Sequence, residues 1–284
     1  MMKLNTLLKT LGWVVVSSLL SVNILADHDT NHSTLKHANN ASMTYQDLFN
    51  LEFAANPVVM PDGKSVIYER TSMDIMTDSR KRNLWIVSLD GKQNMALLSD
   101  TKNHYSPVFS PDGKKMAYLS SKEGKVQIYL REIRSGNTAR VTDVEMSPSS
   151  LTFSPDGNHL AFVMFTPNKP TPIFSLDFKP KDAKWADEAQ YIDETLFQRD
   201  GAGMNRPGNL HVHVVPTIGG TPRQITQGAH DYSGTLAWTD NGEAIIVSAN
   251  TRADFDFDVF NSDLHSVNIK TGQITRLTKA TGPE

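Results

Sequence analysis

The chain has 284 residues, 39% of them hydrophobic, no cysteine and a formal net charge of −3. That length allows one large all-β domain or two smaller domains. The missing cysteines exclude a disulfide framework, and the slightly acidic balance gives no support for a nucleic-acid partner, which normally goes with a basic surplus.

Residues 1–26 read as a secretory signal peptide. Lys3 and Lys9 form a positive n-region, Leu11 to Leu25 is apolar, and Ala26 is the cleavage position, with Ile24 larger than is usual at the −3 site. The apolar run is short for a membrane span, and an uncleaved anchor is the alternative. The expected product is exported, periplasmic or secreted, with no integral span after signal removal and a net charge of about −5. Residues 27–43 are polar and aperiodic, a flexible leader whose His28, His32 and His37 are too loosely spaced to form a metal site.

From Met60 onward one turn keeps returning: Met60-Pro61-Asp62-Gly63, Ser110-Pro111-Asp112-Gly113, Ser154-Pro155-Asp156-Gly157 and a worn copy, Thr239-Asp240-Asn241-Gly242. Proline pre-sets φ, Asp bonds the backbone two residues on, and Gly accepts a positive φ, so Asp62, Gly63, Asp112, Gly113, Asp156 and Gly157 are structural turn residues. Each turn is followed by an apolar strand, then a third strand such as Asn83–Ser88, Val126–Leu130, Asn209–Val215 or Asp263–Val267. A Gly-bearing turn and a short polar fourth strand complete the unit. Successive glycines lie 50, 44 and 85 residues apart, the last interval being one repeat plus an insertion. Short strands at this period predict an all-β fold, a β-propeller of about four four-stranded blades over residues 44–284. In the third strands Leu84, Ile86, Leu210, Val212 and Val214 point one way, and His211 and His213 the other, toward solvent or a neighbouring blade.

The insertion, residues 166–207, falls inside the third blade. Four prolines (Pro167, Pro170, Pro172 and Pro180) make its first part extended. Lys181 to Phe197 predicts a helix with Trp185, Ala189, Ile192 and Leu196 on one stripe and Asp187, Glu188, Asp193 and Glu194 opposite, ended at the glycines of Gln198-Arg199-Asp200-Gly201-Ala202-Gly203. A loop this long in a small domain is usually functional, the alternative being an arm that covers a blade edge. Asp254, Asp256 and Asp258 alternate like the start of a calcium loop, but Val259 stands where glycine is needed and His265 where a glutamate is, so they read as an acidic loop. No nucleophile elbow, phosphate loop or zinc motif occurs, so catalytic residues, metal and cofactors are all read as none.

These residues in order resemble the N-terminal propeller portion of a prolyl oligopeptidase-family serine peptidase of the acylaminoacyl-peptidase and dipeptidyl-peptidase-like branch. The resemblance is carried by Thr44-Tyr45-Gln46-Asp47-Leu48, Arg82-Asn83-Leu84-Trp85, Arg199-Asp200-Gly201-Ala202-Gly203, Gly219 to Thr226, Asn250-Thr251-Arg252 and Asn261-Ser262-Asp263-Leu264. It implies a propeller that gates and shapes peptide access to an α/β-hydrolase domain. That domain is missing from these residues, so the chain resembles a truncated reading frame and no triad position carries over. In that setting Glu188 or Glu194 anchors a substrate α-amine, and Arg199, beside Asp200, holds a carbonyl or carboxylate. A reading from another class keeps the fold and drops the enzyme: a TolB-like periplasmic propeller acting as a non-enzymatic interaction module.

Overall fold

The computed structural model describes residues 43–168, 178, 180–185, 192 and 194–279. The expected signal peptide, the leader up to Ser42, Glu188 and the last five residues lie outside them. A 3-10 turn, Tyr45–Asn50, opens the described chain, and the Asp47 carboxylate accepts both the amide (2.7 Å) and the hydroxyl (2.9 Å) of Thr44.

Four antiparallel four-stranded sheets follow among the described residues. The first is β1 (Glu52–Val59), β2 (Ser65–Asp74), β3 (Ser79–Ser88) and β4 (Asn94–Leu98); the second is β5 (His104–Phe109), β6 (Lys115–Glu123), β7 (Lys125–Glu132) and β8 (Thr138–Arg140). In the third, β9 (Pro148–Phe153) and β10 (His159–Pro167) are separated in sequence from β13 (Gly208–Pro216) and β14 (Arg223–Gln224) by a small hairpin, β11 (Gln198–Arg199) with β12 (Gly203–Met204). The fourth is β15 (Tyr232–Trp238), β16 (Ala244–Ala249), β17 (Asp263–Asn268) and β18 (Ile274–Arg276). Each sheet is a meander whose strands pair with their sequence neighbours, as a run of hairpins dictates.

The recurring turn closes the first hairpin of every sheet. Ser110 Oγ donates to Asp112 (2.7 Å) and accepts from the Lys115 amide (3.0 Å), while Asp112 accepts from the Lys114 amide (3.1 Å). Ser154 and Asp156 repeat the set, and so does the worn copy, where Thr239 and Asn241 supply the same hydroxyl and side-chain oxygen. The first copy keeps only the Asp62 acceptor, because Met60 has no hydroxyl to offer. The turns also stack from sheet to sheet. A Cβ at Gly113 would lie 2.6 Å from Pro61, one at Gly157 3.6 Å from Pro111, and one at Gly242 3.7 Å from Pro155. Proline and glycine therefore shape each turn and seat it against the preceding one.

Every first strand also carries a bulge, which the sequence pattern did not announce. The register slips between Ala55 and Val58, Tyr105 and Val108, and Ser233 and Ala237, and opposite Ala161–Val163 in β9. Asn56, Ser106, Ser150 and Gly234 occupy these bulges at φ of 49°, 52°, 50° and 84°. One residue in the left-handed region bends the strand and raises its twist.

The core lies in three layers, one between each consecutive pair of sheets. Strand alternation serves both sides at once. Met116 and Tyr118 of β6 face the first sheet, while Ala117 and Leu119 face the third; Leu160 and Phe162 of β10 face the second, while Ala161 and Val163 face the fourth. Each fully covered large side chain is worth roughly 1.5–3 kcal/mol, so without disulfides these layers are the main source of stability. Double coverage also settles the histidines of β13: His211 and His213 are buried, and His213 stacks on Phe162 at 5.5 Å.

The connection 168–207 does not show the expected helix in its described part. Residues 181–182 form a turn, 183–185 are irregular, 194–195 are a bend and 196–197 are irregular, while 186–191 and 193 lie outside the described residues. Of the expected apolar stripe, Trp185, Ile192 and Leu196 are exposed, and Ala189 lies outside the described residues. The Arg-Asp-Gly segment, expected to end that helix, is instead the turn of the β11–β12 hairpin.

Candidate cleft between the third and fourth sheets

The stacked turns sit where each second strand begins. At the opposite ends of β10 and β16 a cleft of about 590 Å³ opens between the third and fourth sheets. Its floor is made by Leu210, Asp231, Ser233 and Ala249, one wall by the β11–β12 hairpin and the residues after it, and the other by the loop 250–262. Gly208, at φ 141°, lets the chain pass at the mouth: a Cβ there would be 2.4 Å from the Thr166 carbonyl oxygen.

Of the four candidate site residues, the structure brings two to the cleft. Glu194 and Arg199 line it, Asp200 stands exposed in the hairpin turn away from its lining, and Glu188 lies outside the described residues. Among the described residues nothing hydrogen-bonds or ion-pairs with the side chains of Glu194 or Arg199. Arg206 and Asp231 escaped the sequence reading, and Asp256 was read only as part of an acidic loop. Arg206 adds a second cation to the lining. Asp231 accepts from the Leu210 amide (2.8 Å), tying the start of β13 to the approach of β15. Asp256 binds Thr195 across the opening.

The acidic run 254–258 is a turn rather than an extended ribbon. Asp258 is engaged locally by Asn250 (2.7 Å, on its carbonyl oxygen) and Asn261 (2.7 Å, on its carboxylate). Asp256 faces the arm, and the amide and hydroxyl of Thr195 hold its carboxyl below the usual carboxylate range. Behind the loop, Asp263 is buried against Arg276 and lies 3.8 Å from Arg252, while Leu264 donates its amide to Thr278 Oγ1 (2.9 Å). The motif residues Asn250-Thr251-Arg252 and Asn261-Ser262-Asp263 thus form the base of this wall.

Beneath the cleft the rings of His211 and His265 flank Tyr232 at 6.1 and 6.3 Å. His211 Nδ1 lies 3.1 Å from Thr226 Oγ1, and His265 Nε2 3.2 Å from Thr251 Oγ1. Burial pushes the pKa of His211, His213 and His265 down, which favours neutral rings at neutral pH. Among the described residues no three His, Asp or Glu side chains come together as a metal site, and no helix is long and apolar enough to cross a membrane.

Comparison with known proteins adds four findings. The sequence model of the TolB beta propeller domain family matches residues 73–283. The uncharacterized peptidase YuxL of Bacillus subtilis (strain 168) is 24% identical over 209 residues, which is 73% of this chain and 31% of that one. Dipeptidyl-peptidase 5 of Porphyromonas endodontalis is 23% identical over 273 residues, 89% of this chain and 38% of that one. Among solved structures, the acylaminoacyl peptidase of Pyrococcus horikoshii superposes with a TM-score of 0.59 at 16% identity, over 82% of this chain and 33% of that one. This chain therefore spans about a third of the length of the curated relatives it matches, and the similarity covers their propeller portion.

Proposed function

The chain belongs to the TolB β-propeller domain family, and from that membership we propose that it is the propeller portion of an exported serine peptidase of the prolyl oligopeptidase family. In this reading the four sheets are blades of an incomplete ring. They gate and shape the approach of peptides to a hydrolase domain outside these 284 residues. The observation that carries the proposal is the cleft between the third and fourth sheets, which offers the free side chains of Glu194 and Arg199 beside the apolar walls of Phe165, Leu196 and Val259. A free α-amine is held by the Glu194 carboxylate through charge-assisted hydrogen bonds, and Arg199 takes a peptide carbonyl or carboxylate. Relatives named as peptidases support a peptide as the ligand.

Calorimetry of the full chain with tetra-alanine tests this. Glu194→Gln is expected to weaken binding by about tenfold, or about 1.4 kcal/mol, and Nα-acetylation of the peptide by the same factor without adding to the mutation. Independent, additive losses, or none, contradict the assignment. The TolB name of the matching family favours a second reading, a non-enzymatic interaction module; a chain that binds no tetra-alanine in this assay belongs there.

A further inference from the structure

The cleft has two walls from different sheets, and the hydrogen bonds that join them converge on one residue. Thr195 donates its amide to both carboxylate oxygens of Asp256, at 3.1 and 2.9 Å. Its hydroxyl lies 2.8 Å from Asp256 Oδ1 and 2.6 Å from the Asp256 carbonyl oxygen. Among the described residues every hydrogen bond between segment 194–206 and loop 250–262 ends on Asp256. The partners are 61 residues apart in sequence, and each has a neighbour in the cleft lining: Glu194 and Leu196 beside Thr195, Phe255 beside Asp256.

The loop that carries Asp256 is braced. Phe257 and Asp258 both donate amides to the Asp254 carbonyl oxygen (2.9 and 3.0 Å), Asn250 and Asn261 bind Asp258 from the loop base, and Phe255 packs edge-on against His230 at 5.0 Å. Among the described residues the arm around Thr195 is tied to the hairpin that follows it. It is held by Asn205, which donates its amide to the Phe197 carbonyl oxygen (2.8 Å) and its side-chain amide to that of Leu196 (2.5 Å), and by the short β11–β12 pairing. The braced loop presents a fixed acceptor to Thr195, and the bond places the arm and with it the Glu194 carboxylate beside Thr195.

We infer that Asp256 is a positioning residue, clasping Thr195 so that Glu194 and Arg199 are held at the cleft wall. The bond uses an ionised carboxylate accepting an amide and a hydroxyl, the stronger class of hydrogen bond. It orders the arm before a ligand arrives, so the ligand does not bear that ordering cost on binding. The consequence for recognition rests on the peptide-binding reading above; the clasp itself does not.

Hydrogen exchange and tetra-alanine calorimetry on the full chain separate the two. In Asp256→Ala the Thr195 amide is expected to exchange at least about tenfold faster while Val212 and Val214 of β13 keep wild-type rates, and the affinity for tetra-alanine falls about tenfold. Thr195→Ser is expected to match wild type, and Thr195→Val, which loses the hydroxyl but keeps the amide bonds, to fall between wild type and Asp256→Ala in affinity. In wild type the Asp256 carboxyl titrates below the ordinary range, and Thr195→Val moves it upward while Val212 and Val214 keep wild-type exchange, which separates loss of this bond from general loosening. Unchanged exchange at Thr195 in Asp256→Ala, or an unmoved Asp256 titration in Thr195→Val, overturns the clasp. Should Asp256→Ala fail to fold, the Thr195→Val titration decides alone. If wild type binds no tetra-alanine while exchange at Thr195 still answers to Asp256, the clasp stands and the peptide reading falls.

Discussion

Ser154, Asp156 and the Asn158 amide illustrate what a single recurring residue does in this protein. The Asp156 pKa is lowered to about 2, chiefly by the hydrogen bond from Ser154 and then by the Asn158 amide. A carboxyl depressed on folding contributes stability that is complete above its unfolded value near 3.8 and is lost as pH falls through that value toward 2. The group is exposed, so solvent screening keeps the contribution small. An NMR titration of the Asp156 carboxyl is expected to give a midpoint near 2 in wild type and a higher one, still below 3.8 because the Asn158 amide remains, in Ser154→Ala. Identical midpoints would remove Ser154 as the cause. The same chemistry explains why the worn copy works: Thr239 and Asn241 keep the hydroxyl and the oxygen, whereas Met60 in the better-looking first copy does not.

At the scale of elements, the stacking of one turn on the next makes the repeat a packing device. Gly63, Gly113, Gly157 and Gly242 share a positive φ of 64–71°, so alanine costs each about 1 kcal/mol in backbone strain. Only at Gly113 does the added methyl group run into a neighbour, Pro61 at 2.6 Å, and overpacking adds roughly 1–3 kcal/mol there. Chemical denaturation is expected to rank Gly113→Ala well below Gly63→Ala, with Gly157→Ala and Gly242→Ala close to the latter; equal losses at Gly113 and Gly63 contradict the stacked arrangement. Turns and apolar runs were legible because proline, aspartate and glycine act locally and a strand alternates with period 2. The bulges were not, since Asn56, Ser106 and Ser150 adopt a conformation their side chains do not advertise. Nor was the burial of His211 and His213, because alternation marks two faces without saying that both will be covered. The helical period over 181–197 falls mostly on residues outside those described, and its described ends, 181–185 and 194–197, carry no helix.

For the whole molecule, the cleft arises from contacts the sequence separates widely. Glu194 and Arg199 were picked out by their charge and their place in the insertion, and both line the cleft. Thr195 and Asp256 meet across 61 residues, a juxtaposition that no local pattern encodes. The fold itself gives a simple division of labour: stacked turns at one end of the sheets, and at the other the ends of β10 and β16 with the segments 194–206 and 250–262 that line the cleft. The central claim is that this second end receives peptide while the catalytic machinery lies elsewhere. The most direct test is an amide NMR titration of the full chain with tetra-alanine. The account predicts shift changes confined to Glu194, Arg199, Leu210, Asp231 and Phe255 and their neighbours, with the peptide recovered intact. Changes centred on the stacked turns at Gly113 and Gly157, no changes at all, or cleavage of the peptide would contradict it.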